Sequence, residues 1–368
     1  RQGVRQRGFA HAWHVLDQQM TTGQQTGHAG LHLRRLSGHD RVKLAGDRID
    51  FFCHVHVPKV TENQCLAGVP RRNELGRTGF FAHPDCLKHD MGAGHPESPG
   101  RLGAIEERLQ IAGVSDALEW REPDEATMGE LLLAHGRRHV AALRGLSEIL
   151  VEEVAAGGPD AFSLDPDTSM NTQTWRAALL SAGAAIDAVD AVLGGELKNA
   201  FCSTRPPGHH ATRDQAMGFC FFNNVAIAAK HACEHHGLER VAIVDFDVHH
   251  GNGTEDIVAG DERILMVSFF QHPFYPEGGS TRTDANLVNL PVPAYTKGMD
   301  IRELVDMMWI PRLEQHKPEL ILISAGFDAH REDDMGQLSL NESDYAWITE
   351  RIRDVARRHA KDRIVSCL

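Results

Sequence analysis

The sequence has no run of about 18 or more uncharged apolar residues, so nothing in it reads as a membrane-spanning helix. The nearest approach, from Ala177 to Leu193, carries Asp187 and Asp190. The first twenty residues, opening on Arg1, lack the apolar core of a secretory signal. The seven cysteines are odd in number and lack the spacing of a disulfide framework, which fits a reducing, cytoplasmic setting. Internal repeats, a serine-nucleophile motif and a phosphate-cradling glycine loop are likewise missing. Positive charge is scarce, with 38 Lys and Arg against 51 Asp and Glu and a net charge of −13. Binding to a phosphate backbone rests on Lys and Arg, so direct nucleic-acid binding is a poor expectation, whereas a basic substrate would be drawn in.

What is present is a chain of 368 residues, 42% apolar and 24% charged, long enough for one large α/β domain or two ordinary ones. Charge is unevenly spread: 12 basic and 6 acidic residues lie up to Arg77, against 26 and 45 beyond it. Residues 1–77 are rich in Gln, Gly, Arg and His and offer few signals for capped helices or alternating strands, so a poorly ordered or non-native extension is expected. Its Cys53, His54, His56 and Cys65 lack the spacing of a zinc knuckle.

Residues 78–368 alternate short β-rich runs with amphipathic stretches. Strands are expected at 200–204, 241–246, 264–269, 320–324 and 364–368. Helices are expected at 223–236, 301–316 and 342–359, and where Ala178, Leu179, Ala182, Ala185, Ile186, Val189 and Val192 recur at three- and four-residue steps before Gly194 and Gly195. That alternation predicts a three-layer α/β/α fold with a mainly parallel central sheet. In such sheets ligands bind beyond the carboxyl ends of the strands.

Those ends carry the unusual polar residues. After Val244 come Asp245, Asp247 and His249, which at period two project to one side of an extended chain. The strand ending at Ser324 runs into Asp328, and the strand at 200–204 into Pro206, Pro207, Gly208, His209 and His210. Acids after strands often cap helices, and histidine pairs are often solvated. The pair His235 and His236, just before Gly237, is read in that way, as imidazoles favoured by a helix dipole. At the other strand ends several metal-ligating residue types meet at one rim, which points to chemistry. Two carboxylates and one imidazole suit a divalent ion with room for water: zinc first, with iron or cobalt as alternatives. A nearby imidazole would move protons for a hydrolytic reaction.

The stretches 205–211, 218–224, 245–253 and 324–328, with the early loop from His95 to Leu102, resemble the histone deacetylase and deacetylase-like amidohydrolase superfamily of arginase-type fold. The resemblance runs from about Thr78 to Leu368. It implies Asp247, His249 and Asp328 as zinc ligands, His210 as general base and acid, and His209 as its electrostatic helper. Asp245 and Asn252 would orient the two histidines, and the asparagine is similar to the class II branch. Asp245 and Ser268 match a structural monovalent-cation site, for which K+ is the expected ion. Gly218, Phe219 and Tyr275 would wall a narrow tube for a lysine side chain, with Asp167 and Met335 at the rim and Arg101 lining an internal acetate channel. The substrate implied is an acetylated lysine in a protein or peptide, or a small acylated amine.

Family members continue after the last strand with Glu-Gly-Gly-Tyr, whose tyrosine donates to the scissile carbonyl, whereas this sequence ends at Leu368. A C-terminally incomplete catalytic domain of impaired activity is therefore expected. The rival expectations are a non-catalytic acyl-lysine binder, an acetylpolyamine amidohydrolase and a binuclear ureohydrolase.

Overall fold

The computed structural model describes residues 77–276 and 282–368. The segment before residue 77, with Cys53, His54, His56 and Cys65, lies outside the described residues. In chain order the elements are β1 (Thr78–Phe81), α1 (Gly100–Ala112), β2 (Leu118–Arg121), α2 (Met128–Ala134), α3 (Arg137–Ala155), β3 (Ala161–Ser163), β4 (Ser169–Asn171), α4 (Thr174–Leu193) and β5 (Asn199–Cys202). They continue with α5 (Asn224–Glu234), β6 (Val241–Asp245), α6 (Asn252–Val258), β7 (Ile264–Gln271), β8 (Leu287–Val292), α7 (Gly298–Leu304), α8 (Ile310–His316), β9 (Leu320–Ser324), α9 (Glu342–His359) and β10 (Ile364–Cys367).

Alternation along each central strand divides the apolar side chains between two cores. Ala242 and Val244 of β6, with Ile321 and Ile323 of β9, pack against α1, α7, α8 and α9. Val241 and Ile243, with Leu320 and Leu322, face the alanine-rich sides of α4 and α5. Three layers result, and a sheet covered on both faces explains why its central strands read as continuous apolar runs. The strand order is β2-β1-β5-β10-β9-β6-β7-β8, and every pairing in this sheet is parallel. A small antiparallel hairpin, β3 and β4, stands apart.

The helix expected at 301–316 is broken into α7 and α8 by a π-turn at Val305–Trp309. Pro311 supplies the reason: it has no N–H to donate, and its ring crowds the carbonyl four residues earlier. Strands β1, β2 and β8 were not foreseen; the first two are only four residues long, and β8 holds Pro291, tolerable because β8 lies at the sheet's edge. Among the described residues no helix is long and apolar enough to cross a membrane.

Candidate metal centre and active site

Parallel register aligns the strand ends. Asp245 pairs with Ser268 and Ser324, Ser324 with Cys367, and Cys367 with Cys202. The loops that follow β5, β6 and β9 therefore leave the sheet at one level and line a single cavity of about 850 Å³.

On its floor His249 Nδ1 stands 3.0 Å from Asp247 Oδ1 and 2.9 Å from Asp328 Oδ2. The three ligand atoms lie within 4.8 Å of one another. Backbone N–H groups aim both carboxylates: His249 donates to Asp247 Oδ1 at 2.7 Å and Val248 to Asp328 Oδ1 at 2.8 Å. Gly326 makes the approach possible, since a Cβ there would fall 1.9 Å from Asp247 Oδ2. Burial opposes a charge on His249, but Asp328 and Asp247 outweigh it and lift the imidazole to about 10. Burial and the neighbouring Asp247 raise the Asp328 carboxyl. Two carboxylates and an imidazole so pressed together form a donor set that suits a divalent cation.

The tandem histidines have opposite surroundings. His209 donates through Nδ1 to Asp245 Oδ2 at 3.0 Å, and its Nε2 is 3.8 Å from Asp247 Oδ2. Burial alone would lower its pKa, yet Asp247 and Asp245 raise it to about 9. His210 donates through Nδ1 to Asn252 Oδ1 at 2.8 Å, while the Asn252 amide N–H meets Met217 Sδ at 3.4 Å and fixes which way the amide faces. Burial, then His209 and His249, hold His210 well below the usual imidazole range. Asp245, which period-two alternation groups with Asp247 and His249, accepts from His209, the partner that the family resemblance implies for it, and from the Asp247 backbone N–H at 3.1 Å.

Gly218 and Phe219 both adopt left-handed backbone, with φ of 56° and 69°. Gly218 must be glycine, because a Cβ there would lie 2.4 Å from the His210 ring. The unfavourable φ of Phe219 is held by its N–H, which donates to Thr168 Oγ1 at 3.0 Å, and its ring meets His95 edge-on at 4.6 Å. Tyr275 stands perpendicular to His210 with ring centres 5.1 Å apart. Asp167, Met335 and Arg101 all line the cavity. The Asp167 carbonyl accepts from His95 Nε2 at 3.0 Å, and Arg101 donates to Glu97 Oε1 at 3.3 Å. Ser268 sits beside Asp245 in register and donates its hydroxyl to Asn289 at 2.8 Å.

Several further residues shape the site. Arg205, with no exposed surface, donates Nε and an Nη to the two oxygens of buried Glu97 and its other Nη to the carbonyls of Cys86 and His89. This buried pair bolts the early loop to the loop carrying His209 and His210. The only signal for it was a glutamate and an arginine within two proline-bearing loops. Phe274 stacks on His249 at 5.3 Å, and Asp333, pushed up to about 7 by burial and by Asp328, lines the cavity. His135 accepts from the Asn223 N–H at 2.8 Å and donates to the Thr212 carbonyl at 2.9 Å, which steadies the chain after His210.

The histone deacetylase domain matches residues 95–368. The chain belongs to the histone deacetylase family. It is 36% identical over 313 residues to a histone deacetylase-like amidohydrolase of Pseudomonas aeruginosa, covering 78% of this chain and 80% of that one. It is also 36% identical, over 299 residues, to a probable deacetylase of Archaeoglobus fulgidus, with coverage of 79% and 80%. Among solved structures, the HDA15 HD domain superposes with a TM-score of 0.72 at 32% identity, covering 79% of this chain and 83% of that one. As a member of the histone deacetylase family, the chain is a hydrolase of the deacetylase and amidohydrolase kind, with acetylated substrates.

Proposed function

We infer that this histone deacetylase family member removes acetyl or a related short acyl group from lysine side chains or small amines, in a zinc-dependent hydrolysis. Asp247, His249 and Asp328 would hold the ion. The observation that carries the reading is the convergence of their three ligand atoms beside two histidines whose proton affinities are driven apart. Such a divergence within a pair marks a division of acid and base roles. When bound, zinc would polarise the acyl carbonyl and acidify the attacking water.

The protein's own groups do the rest. His210 stays neutral near pH 7, and with Nδ1–H committed to Asn252 its Nε2 is free to accept. It takes a proton from the attacking water and returns it to the leaving amine, so that amide and water become amine and carboxylate. His209, its Nδ1 held by Asp245, would present its Nε2–H toward the developing oxyanion. Phe219 and Tyr275 would admit a slender acyl-lysine chain, with Asp167 and Asp333 among the residues lining the cavity. By the family resemblance, Arg101 would line the exit for acetate, and Asp245 with Ser268 would help hold K+.

The test is acetate release from an acetyl-lysine peptide and an acetylated polyamine, with zinc removed and restored. His210→Ala should keep zinc and lose about a hundredfold to ten-thousandfold in rate. A zinc-loaded protein inert on both substrates would overturn the reading.

A further inference from the structure

A second group of metal-ligating side chains lies away from the cavity. Asp190, near the end of α4, accepts at one oxygen, Oδ1, from two imidazoles: His231 Nε2 at 2.7 Å and His236 Nε2 at 2.6 Å. The ligand atoms of the three residues lie within 4.8 Å of one another. Local structure brings them together. α4 and α5 pack through small residues, among them Ala184, Ala188, Ala228 and Ala232, so their backbones run close. Gly237, with φ of 67°, reverses the chain after α5, and the Leu238 N–H closes on the Ala232 carbonyl. That reversal carries His236 back over the helix end toward His231.

A helix dipole accounts for imidazoles near a C-terminus, but not for two of them meeting on one carboxylate oxygen contributed by another helix. Nor does another polar contact explain the burial of His231, whose Nδ1 is enclosed without a partner. Burial raises the Asp190 carboxyl, yet the two histidines bring it below its ordinary value, so it is an anionic donor at neutral pH. Two imidazoles and one carboxylate form a zinc-type set, to which solvent can add a fourth ligand because Asp190 and His236 reach the surface. Ligands at zinc distances stand about 3.3 Å apart, so Asp190 must retreat by roughly 0.6 Å from each nitrogen, a small rotation for a half-exposed side chain.

We propose that Asp190, His231 and His236 form an auxiliary zinc site that ties the end of α4 to the end of α5. Its innermost ligand, His231, lies eight residues along α5, about 12 Å, from Asn223, which holds the His209 loop at the other end of the helix. The site is thus structural and independent of turnover. It also bears on any count of ions, because two per chain would arise here without a binuclear reaction centre.

The test uses the full chain, stripped with a chelator, dialysed against Zn2+ and assayed for bound metal and for thermal unfolding. Wild type should hold two zinc ions. His236→Ala and Asp190→Ala should each hold one, with auxiliary affinity reduced by at least ~100-fold, the upper end of what losing even a supporting residue of a metal site costs. Zinc should raise the Tm of a Asp247→Ala protein, whose remaining ion is the auxiliary one, and should fail to do so in Asp247→Ala/His236→Ala. Deacetylation by His236→Ala should match wild type. The proposal is overturned if His236→Ala and Asp190→Ala bind as many ions as wild type with the same affinity, or if wild type binds a single ion that Asp247→Ala abolishes. An unchanged count in Asp247→Ala with His236→Ala lowering it would instead indict the catalytic ligand set.

Discussion

Replacing Gly326 by alanine adds a single methyl group at the floor of the cavity, and the structure specifies what that methyl meets. The three nearest atoms are all of Asp247: Oδ2 at 1.9 Å, Cγ at 2.5 Å and Cβ at 2.6 Å. Gly326 does not occupy the left-handed region, so alanine carries no backbone penalty there and the clash alone sets the effect. Ordinary contact begins near 3.4 Å, which requires about 1.5 Å of movement between the two residues. Asp247 cannot move that far and keep its bonds from the His249 N–H at 2.7 Å and ring at 3.0 Å. Metal-ligand distances tolerate only about 0.2 Å of error, and a misplacement of about 1 Å can cost a hundredfold in rate. Gly326→Ala should therefore fold, with an overpacking cost of about 1–3 kcal/mol, while zinc affinity and deacetylation each fall about a hundredfold or more. Adding Asp247→Ala should recover the lost stability without restoring zinc binding in the cavity. Calorimetric titration with zinc, urea unfolding and acetate release read the three quantities. Wild-type zinc affinity in Gly326→Ala would refute both the ligand role of Asp247 and the steric argument.

Alanine at Asp247, His249 or Asp328 should lower bound metal where His210→Ala does not, and equal metal content in all four variants would count against the ligand set. Phe219→Ala should broaden acceptance of bulkier acyl amines more than it slows acetyl-lysine turnover; an unchanged substrate profile would remove Phe219 from the tube. Stability should fall in mild acid because burial holds His135 at about 3 and His89 at about 4. The folded protein keeps both neutral while the unfolded chain protonates them below about 6.5, so stability is complete above that pH and is lost as pH falls toward the folded values. Between pH 7 and 5.5 each contributes a loss of about 1 kcal/mol, measurable by urea unfolding, and His135→Gln should flatten that slope; an identical slope in the variant would disprove the assignment.

The apolar runs at 241–245 and 320–324 announced buried parallel strands because both of their faces enter cores, and each led on into residues of ligand type. Short strands such as β1 and β2 passed unnoticed, since four residues hold too little pattern to separate from a loop. Period-two alternation grouped Asp245 with Asp247 and His249, but alternation describes an extended chain, and the chain bends after β6. There Asp245 serves His209 and leaves the place of third ligand to Asp328. The role of His236 was also out of reach: its neighbours in sequence suggested a helix end, while its partner Asp190 lies 46 residues earlier.

Residue order was enough to set the layering, the rim at which to look and the types of group gathered there, because periodicity and strand-end chemistry are local properties. Which groups touch depended on register and packing: β6 against β9 brings Asp328 to His249, Glu97 reaches Arg205 from 108 residues away, and α4 against α5 brings Asp190 to two histidines. Contacts across such separations arise when close-packed layers remove the remaining freedom of the chain, and no local pattern records that outcome.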